Sequence, residues 1–205
     1  FFKSGEPAYI TKRFDVKNFI EKTKLGQEDF ASLAGKTTLT SNEKYEYSYE
    51  EAGLLIQKYV PAWRVEIEKY FSLVLFNYLF SNGDAHLKNF SILESSNGDY
   101  LLSPAYDLIN TSLHVDDTDF ALSKGLFVDD FKSEAYNKTR HPSKTDFVEF
   151  AKRIGVRFSR IENLLKPFLI IHPLMESLVS RSFLNEANKR GYLHMFKAKR
   201  NFLLK

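Results

Sequence analysis

The chain has 205 residues, of which 43% are hydrophobic and 27% are charged, so it can bury a substantial single core. Its formal net charge of +3 is too small to predict a general preference for nucleic acid or another polyanion. The absence of cysteine excludes disulfide stapling and is compatible with a reducing cytosol, so we expect a cytoplasmic protein. The first residues lack the charged start and apolar stretch of a signal peptide.

The first part of the chain alternates turn signals with short apolar segments. Residues 1–15 are predicted to form a hairpin that turns at residues 5–7, which read Gly-Glu-Pro. A short helix is predicted from about Glu28 to Ala34, where Gly35 stops it. Ser48 and Glu51 have the spacing of a capping box and predict the start of the next helix.

That helix should end at Pro61, and a longer helix is predicted over residues 65–80. After Lys69 the second helix is apolar on nearly all sides, which is typical of a helix buried in a domain core. The apolar run from Tyr70 to Phe80 is too short to cross a bilayer, so no membrane association is expected.

The segment after this helix reads NGDAHLKN and carries the strongest functional signal. Asp84 and Asn89 are separated by five positions, and Asp107 follows Asn89 by eighteen. Kinase catalytic loops use an Asp that positions the acceptor hydroxyl, an Asn that ligates magnesium, and a second metal-binding Asp further along. The spacing therefore predicts a phosphoryl-transfer site.

A hairpin between these residues explains the spacing. Residues 90–93 and 100–102 have strand character, and residues 95–99 contain an Asn-Gly turn. Adjacent strands lie about 4.8 Å apart, so the segments at the two ends of the hairpin should lie side by side. One amide and one carboxylate suit magnesium completed by phosphates and water. Zinc is not expected, since there is no cysteine and the five histidines are scattered.

The remainder of the chain is predicted to be irregular to about Ser143 and helical beyond it. Residues 116–119 read Asp-Asp-Thr-Asp and are expected to form a solvated turn. Ser143 and Ser159 are predicted helix caps, the second in a capping box with Glu162. From Lys189 onward the tail is basic, and it should dock as an amphipathic helix; contact with a DNA backbone or with a partner protein is the alternative.

Five segments together resemble the catalytic core of HipA-type toxin kinases, the bacterial toxin–antitoxin serine/threonine protein kinases. The segments read AYITKRFD (8–15), QEDF (27–30), KYE (44–46), NGDAHLKNFSIL (82–93) and LLSPAYDLINT (101–111). The resemblance implies an α+β, mainly α-helical fold: a protein-kinase-like (phosphatidylinositol-kinase-like) C-terminal lobe with small β-hairpins at the hinge and at the catalytic site. Residues 1–15 would end the N-terminal lobe and form the hinge, and residues 16–205 would form the helical catalytic lobe.

The resemblance also implies a role for each matching position. Asp84 would be the catalytic aspartate, with His86 near the nucleotide phosphates and Lys88 as a possible source of positive charge. Asn89 and Asp107 would ligate magnesium, and Tyr106 would pack beneath the metal site. The remaining ATP-binding positions are the hinge residues Lys12, Arg13, Phe14 and Asp15, of which Asp15 would lie beside the ribose.

We therefore expect an ATP- and magnesium-dependent serine/threonine kinase that acts as a toxin and causes growth arrest. The resemblance implies an aminoacyl-tRNA synthetase as substrate, a helix-turn-helix antitoxin as partner, and DNA contacted indirectly through the antitoxin. No Gly-rich loop or ATP-binding lysine precedes the hinge in this sequence, so we expect most of an N-terminal lobe to be missing. The alternatives are a small-molecule or lipid kinase of related fold and a non-catalytic lobe that binds antitoxin, DNA or another subunit.

Overall fold

The computed structural model describes residues 3–18, 20–36 and 42–205. The helices within these ranges are α1 (Phe30–Leu33), α2 (Tyr49–Tyr59), α3 (Trp63–Leu79), α4 (Glu134–Thr139), α5 (Lys144–Arg153), α6 (Phe158–Leu165), α7 (Pro173–Arg181) and α8 (Glu186–Leu203). The strands are β1 (Val16–Asn18), β2 (Thr23–Lys24), β3 (Gln27–Asp29), β4 (Ser91–Glu94) and β5 (Tyr100–Leu102). The mainly helical α+β fold expected from the sequence is confirmed.

The strands form two small antiparallel sheets. The predicted hairpin of β4 and β5 is confirmed, with Gly98 in its turn at a φ of 82°, and β3 pairs with the other edge of β4. The hairpin predicted within residues 1–15 is wrong, because residues 3–15 contain no strand and the first pairing joins β1 to β2. Local turn signals do not fix a hairpin when the chain on one side of the turn has no strand to pair with.

Helix α3 lies at the centre of the core, as its apolar sequence predicted. It contacts α2, α6, α8 and β5. Tyr70, Phe71 and Leu75 are fully buried, and the ring of Tyr70 lies 5.4 Å from that of Phe90, the residue that follows the predicted catalytic loop. The hydroxyl of Tyr70 donates to the carbonyl of Tyr49 at 2.9 Å. The core is therefore continuous with the loop that α3 leads into.

Several predicted helix ends are confirmed. Helix α2 begins with a complete capping box of Ser48 and Glu51 and ends two residues before Pro61. Helix α1 is followed by Gly35 at a φ of 67°. Ser143 caps α5 in a capping box with Asp146.

The cap predicted at Ser159 is wrong. Helix α6 begins at Phe158 with Arg157 as its N-cap, so Ser159 lies inside the first turn. Glu162, the predicted partner of Ser159, instead forms an ion pair with Lys144 of α5 at 2.8 Å. A contact between two helices has replaced the local cap.

Residues 108–133 are irregular apart from a 3₁₀ turn at Thr111–Leu113, as expected. The prediction that the irregular stretch continues to about Ser143 is wrong, because α4 occupies Glu134–Thr139, where Ser133 caps the helix with its side chain. The prediction of a solvated turn is correct for residues 116–118, which are exposed, but it is wrong for Asp119. Asp119 contacts His141 at 2.7 Å and Lys199 of α8 at 3.1 Å, and its side chain is 16% exposed. This carboxylate fastens the irregular stretch to the last helix.

Helix α8 docks on the domain, with the ring of Phe196 5.1 Å from that of Phe80. Three of its cations contact groups elsewhere in the chain: Lys197 pairs with Glu176, Lys199 with Asp119, and Arg200 donates to the carbonyl of Leu169. The basic tail therefore serves largely as an intramolecular surface. Within the described residues, no helix combines the length and hydrophobicity needed to span a bilayer.

We expect Asp119→Ala to lower the free energy of unfolding by about 1.5–3 kcal/mol, because the contacts of its carboxylate with the His141 imidazole and the Lys199 ammonium are lost. Equilibrium unfolding in urea would measure the change. Asp116→Ala is the matched control, since Asp116 is exposed in the same turn and should stay within about 0.5 kcal/mol of the parent. Equal stabilities of the two variants would contradict a fastening role for Asp119.

Candidate active site

The predicted catalytic loop joins α3 to β4 and is fixed by buried polar contacts. Ser81 turns the chain at a φ of 56°. The buried amide of Asn82 donates to the side chain of Asn77 in α3 at 3.0 Å and to the carbonyl of Asp107 at 3.1 Å. Asn82 thereby joins the loop to the segment that carries the second aspartate, a role that sequence reasoning did not assign.

Gly83 is required at its position by close packing. Its N–H donates to the hydroxyl of Thr111 at 2.8 Å, and that hydroxyl donates to the carbonyl of Ser81. A Cβ atom on Gly83 would lie 2.6 Å from the carboxyl group of Asp117, well inside van der Waals contact. The residue before Asp84 is therefore held between two parts of the stretch that follows Asp107.

The structure brings together the two residues predicted to bind metal. The Nδ2 atom of Asn89 donates to Oδ2 of Asp107 at 2.8 Å. Asp107 adopts the left-handed conformation with a φ of 54°, which non-glycine residues rarely adopt and which often marks functional sites. His86 is buried, and its Nε2 atom lies 3.8 Å from Oδ1 of Asp84.

Tyr106 and Lys88 form a second contact between the segment that carries Asp107 and the predicted catalytic loop. The hydroxyl of Tyr106 donates to the backbone carbonyl of Lys88 at 2.8 Å, and the ring of Tyr106 packs 5.7 Å from that of Phe14. Burial raises the pKa of Tyr106. Among the described residues, Lys88 forms no salt bridge, so the structure offers no ion-pair role for it.

The predicted hinge lines a cleft of about 660 Å³. One wall consists of residues 11–15, which include Lys12, Arg13, Phe14 and Asp15, and the other of residues 105–109, which include Tyr106 and Asp107. Arg13 hydrogen-bonds to the carboxylate of Asp15 at 2.8 Å and holds the pKa of Asp15 below its ordinary value. The hinge and the second aspartate thus face one space, large enough for a nucleotide-sized ligand.

Two residues that contact the catalytic loop received no role from the sequence. The hydroxyl of Tyr45 donates to Oδ1 of Asp84 at 2.8 Å, and the ammonium of Lys44 lies 2.8 Å from Nε2 of His86. Burial lowers the pKa of His86, and the Lys44 charge acts in the same direction, against the opposing effect of Asp84. The Lys-Tyr-Glu motif was the available signal, but nothing local in the sequence relates it to residues about forty positions away.

Asn89 and Asp107 are too few to surround a metal ion, so they suit a metal whose remaining coordination positions are filled by a bound ligand and water. No group of three or more His, Cys, Asp or Glu side chains that could hold a metal ion is present in the described part of the chain. The side chains of Asn89 and Asp107 are in contact through Nδ2 of Asn89 and Oδ2 of Asp107. The amide and carboxylate oxygens that these two residues carry suit magnesium completed by phosphate oxygens and water. Zinc is not expected at this site because the sequence contains no cysteine.

A mainly helical lobe with a cleft beside this loop is typical of the kinase-like class of folds. The model of the HipA-like C-terminal domain family matches residues 1–170, and the chain belongs to that family. The resemblance inferred from the motifs is therefore confirmed.

Two solved structures share the fold of this chain. The chain is similar to the Shewanella oneidensis HipA structure solved with HipB and operator DNA (TM-score 0.70, 18% identity, 94% of this chain and 48% of that one). It is also similar to the Helicobacter pylori proinflammatory kinase CtkA (TM-score 0.54, 16% identity, 91% of this chain and 71% of that one). At these identities the likeness concerns the fold alone.

A putative kinase of Haemophilus influenzae is 28% identical over 87% of this chain and 55% of its own length. A second, putative kinase Y4dM of Sinorhizobium fredii, is 30% identical over 46% of this chain and 22% of its own length. The chain thus spans at most about half the length of these two relatives.

Proposed function

We propose that this chain is the catalytic lobe of an ATP- and magnesium-dependent serine/threonine protein kinase. The observation that carries the proposal is a contact at 2.8 Å between Asn89, which is on the same loop as Asp84, and Asp107, which lines the cleft beside the predicted hinge. Membership in the HipA-like family and the names of the curated relatives support a kinase.

The nucleotide would occupy the cleft between the hinge and residues 105–109. The backbone of Lys12 and Phe14 would face the adenine, and Asp15 would lie beside the ribose. Because Asp15 is paired with Arg13, ribose binding would compete with or rearrange that ion pair. The packing of Phe14 on Tyr106 supports a hinge that is fixed relative to Asp107.

Asn89 and Asp107 would hold magnesium, which when bound offsets the charge of the nucleotide phosphates. Asp84 would orient the acceptor hydroxyl and accept its proton late in the transfer. His86 lies beside Asp84 and would face the phosphates, with Lys44 next to it. Lys88 remains a second candidate source of positive charge. Preorganised groups of this kind supply most of the rate in phosphoryl transfer.

Membership in the family supports a proposal for the biological setting. A toxin that phosphorylates an aminoacyl-tRNA synthetase in the cytoplasm and causes growth arrest and persistence is the proposed role. The Shewanella oneidensis HipA structure contains HipB and operator DNA, which supports a helix-turn-helix antitoxin as partner and DNA contact through that complex. The intramolecular pairing of three cations of α8 gives no separate support for direct DNA binding by the tail.

The metal assignment is tested by Asp107→Asn in the complete gene product, measured by calorimetric titration with ATP at varied magnesium. The variant keeps the side-chain shape and removes the charge, so the magnesium dependence of ATP affinity should be largely lost. Asp116→Asn, a neutralised aspartate in an exposed turn, is the matched control and should bind as the parent does. Undiminished magnesium dependence in Asp107→Asn would overturn the assignment.

Transfer to a lipid or small molecule but not to protein would favour the alternative class of kinase.

A further inference from the structure

The segment around Tyr45 lies between the predicted catalytic loop and the irregular stretch after Asp107. It forms a 3₁₀ turn at Glu43–Tyr45. On one side the Tyr45 hydroxyl donates to Oδ1 of Asp84 at 2.8 Å. On the other side the N–H of Ser123 donates to the Tyr45 carbonyl at 2.8 Å, and the N–H of Lys124 donates to the Tyr47 carbonyl at 3.2 Å. Tyr45 thus contacts both the predicted catalytic loop and the irregular stretch after Asp107.

Tyr45 is the donor in its hydrogen bond with Asp84. Burial, together with the hydrogen bond to Asp84, raises the pKa of Tyr45 to about 12, so the phenol keeps its proton at neutral pH and can only donate to the carboxylate. Within the described part of the chain, Oδ2 of Asp84 has no hydrogen-bond partner, and the side chain is 43% exposed. One oxygen of Asp84 is therefore held by Tyr45, and none of the described residues binds the other.

The neighbouring residues keep the tyrosine in place. Its ring meets the ring of His86 edge-on at a centroid separation of 5.1 Å. The ammonium of Lys44 lies 4.9 Å from the centre of the Tyr45 ring and 2.8 Å from Nε2 of His86. Rotation of the Tyr45 side chain away from Asp84 would break the contacts of its ring with both His86 and Lys44.

We propose that Tyr45 is a positioning residue that holds Oδ1 of Asp84 so that Oδ2 faces the hydroxyl to be phosphorylated. This inference rests on the kinase activity proposed above. Because Ser123 binds the Tyr45 carbonyl, the orientation of Asp84 also depends on the stretch that follows Asp107. In this role Tyr45 acts on the transfer step and makes no contact with the nucleotide.

The test compares the parent, Tyr45→Phe, Asp84→Asn and the double variant, all as complete gene products. The measurement is transfer of radiolabelled phosphate from Mg-ATP to the protein itself and to casein as acceptor, with kcat and the KM for ATP determined separately. Tyr45→Phe should lower kcat by about 10- to 100-fold, the usual effect of losing a hydrogen bond to a charged group, and leave the KM for ATP unchanged. The double variant should be no slower than Asp84→Asn alone, because Tyr45 acts through Asp84.

Tyr47→Phe is the matched control, since it removes a phenol hydroxyl two residues along the same segment, and it should retain the parent kcat. A parent protein that transfers no phosphate would overturn the proposed kinase function itself. An active parent with an inactive Asp84→Asn and a fully active Tyr45→Phe would overturn only the role of Tyr45. A rise in the KM for ATP with kcat unchanged would also overturn it, because it would assign Tyr45 to nucleotide binding.

Discussion

Asp84→Asn is expected to bind Mg-ATP as tightly as the parent and to lose phosphoryl transfer by about 10²–10⁴-fold, the typical contribution of a positioned acid–base group. The reason is geometric: Asp84 lies on the loop before the two proposed metal ligands, and its one fixed oxygen is held by Tyr45 rather than by a group that lines the cleft. The amide retains an oxygen that can accept from Tyr45, so the loop should keep its conformation. Radiolabel transfer and calorimetry measure the two effects separately.

Asp116→Asn serves as the control for charge removal near the site, and it should retain full transfer. If Asp84→Asn retained transfer to a protein acceptor, the catalytic role would have to move to another residue. If the variant lost ATP affinity as well, Asp84 would contribute to nucleotide binding, contrary to the proposal.

Phe90→Ala is expected to destabilise the fold by about 3–5 kcal/mol, the usual cost of deleting a buried aromatic ring. Phe90 is 1% exposed, and its ring packs against those of Phe30, Tyr49 and Tyr70 at centroid separations of 5.4–6.1 Å. The position directly follows Asn89, so the cavity would open beneath the proposed metal site. Urea unfolding followed by circular dichroism measures the loss.

Phe158→Ala is the matched control, because Phe158 is 76% exposed and the same truncation there should change stability by no more than about 0.5 kcal/mol. A loss below about 1.5 kcal/mol for Phe90→Ala would show that the aromatic cluster repacks around the cavity.

Features encoded by neighbouring residues could be predicted from the sequence. The capping box of Ser48 and Glu51, the turn at Gly98 and the buried helix α3 all arise from short-range patterns, and each is confirmed. The proximity of Asn89 and Asp107 was also predictable, because a single hairpin separates them and its length sets where its two ends meet.

Features that depend on distant parts of the chain could not be predicted. Tyr45 and Asp84 are 39 positions apart, and their hydrogen bond exists only because α2 and α3 pack together between them. The ion pair of Asp119 with Lys199 likewise depends on where α8 docks. The prediction of a cap at Ser159 failed for the same reason, because Glu162 forms an ion pair with Lys144 on another helix.

The left-handed backbone at Asp107 makes this position unusually selective. Glycine enters that region freely, and aspartate and asparagine do so more often than other residues, for which it costs roughly 1–2 kcal/mol. Of these three residues, only aspartate carries a negative charge. Glutamate, often regarded as interchangeable with aspartate, would here meet both a conformational penalty and an extra methylene that displaces its carboxylate from Asn89. The choice of residue is thus decided jointly by the main chain and by the charge.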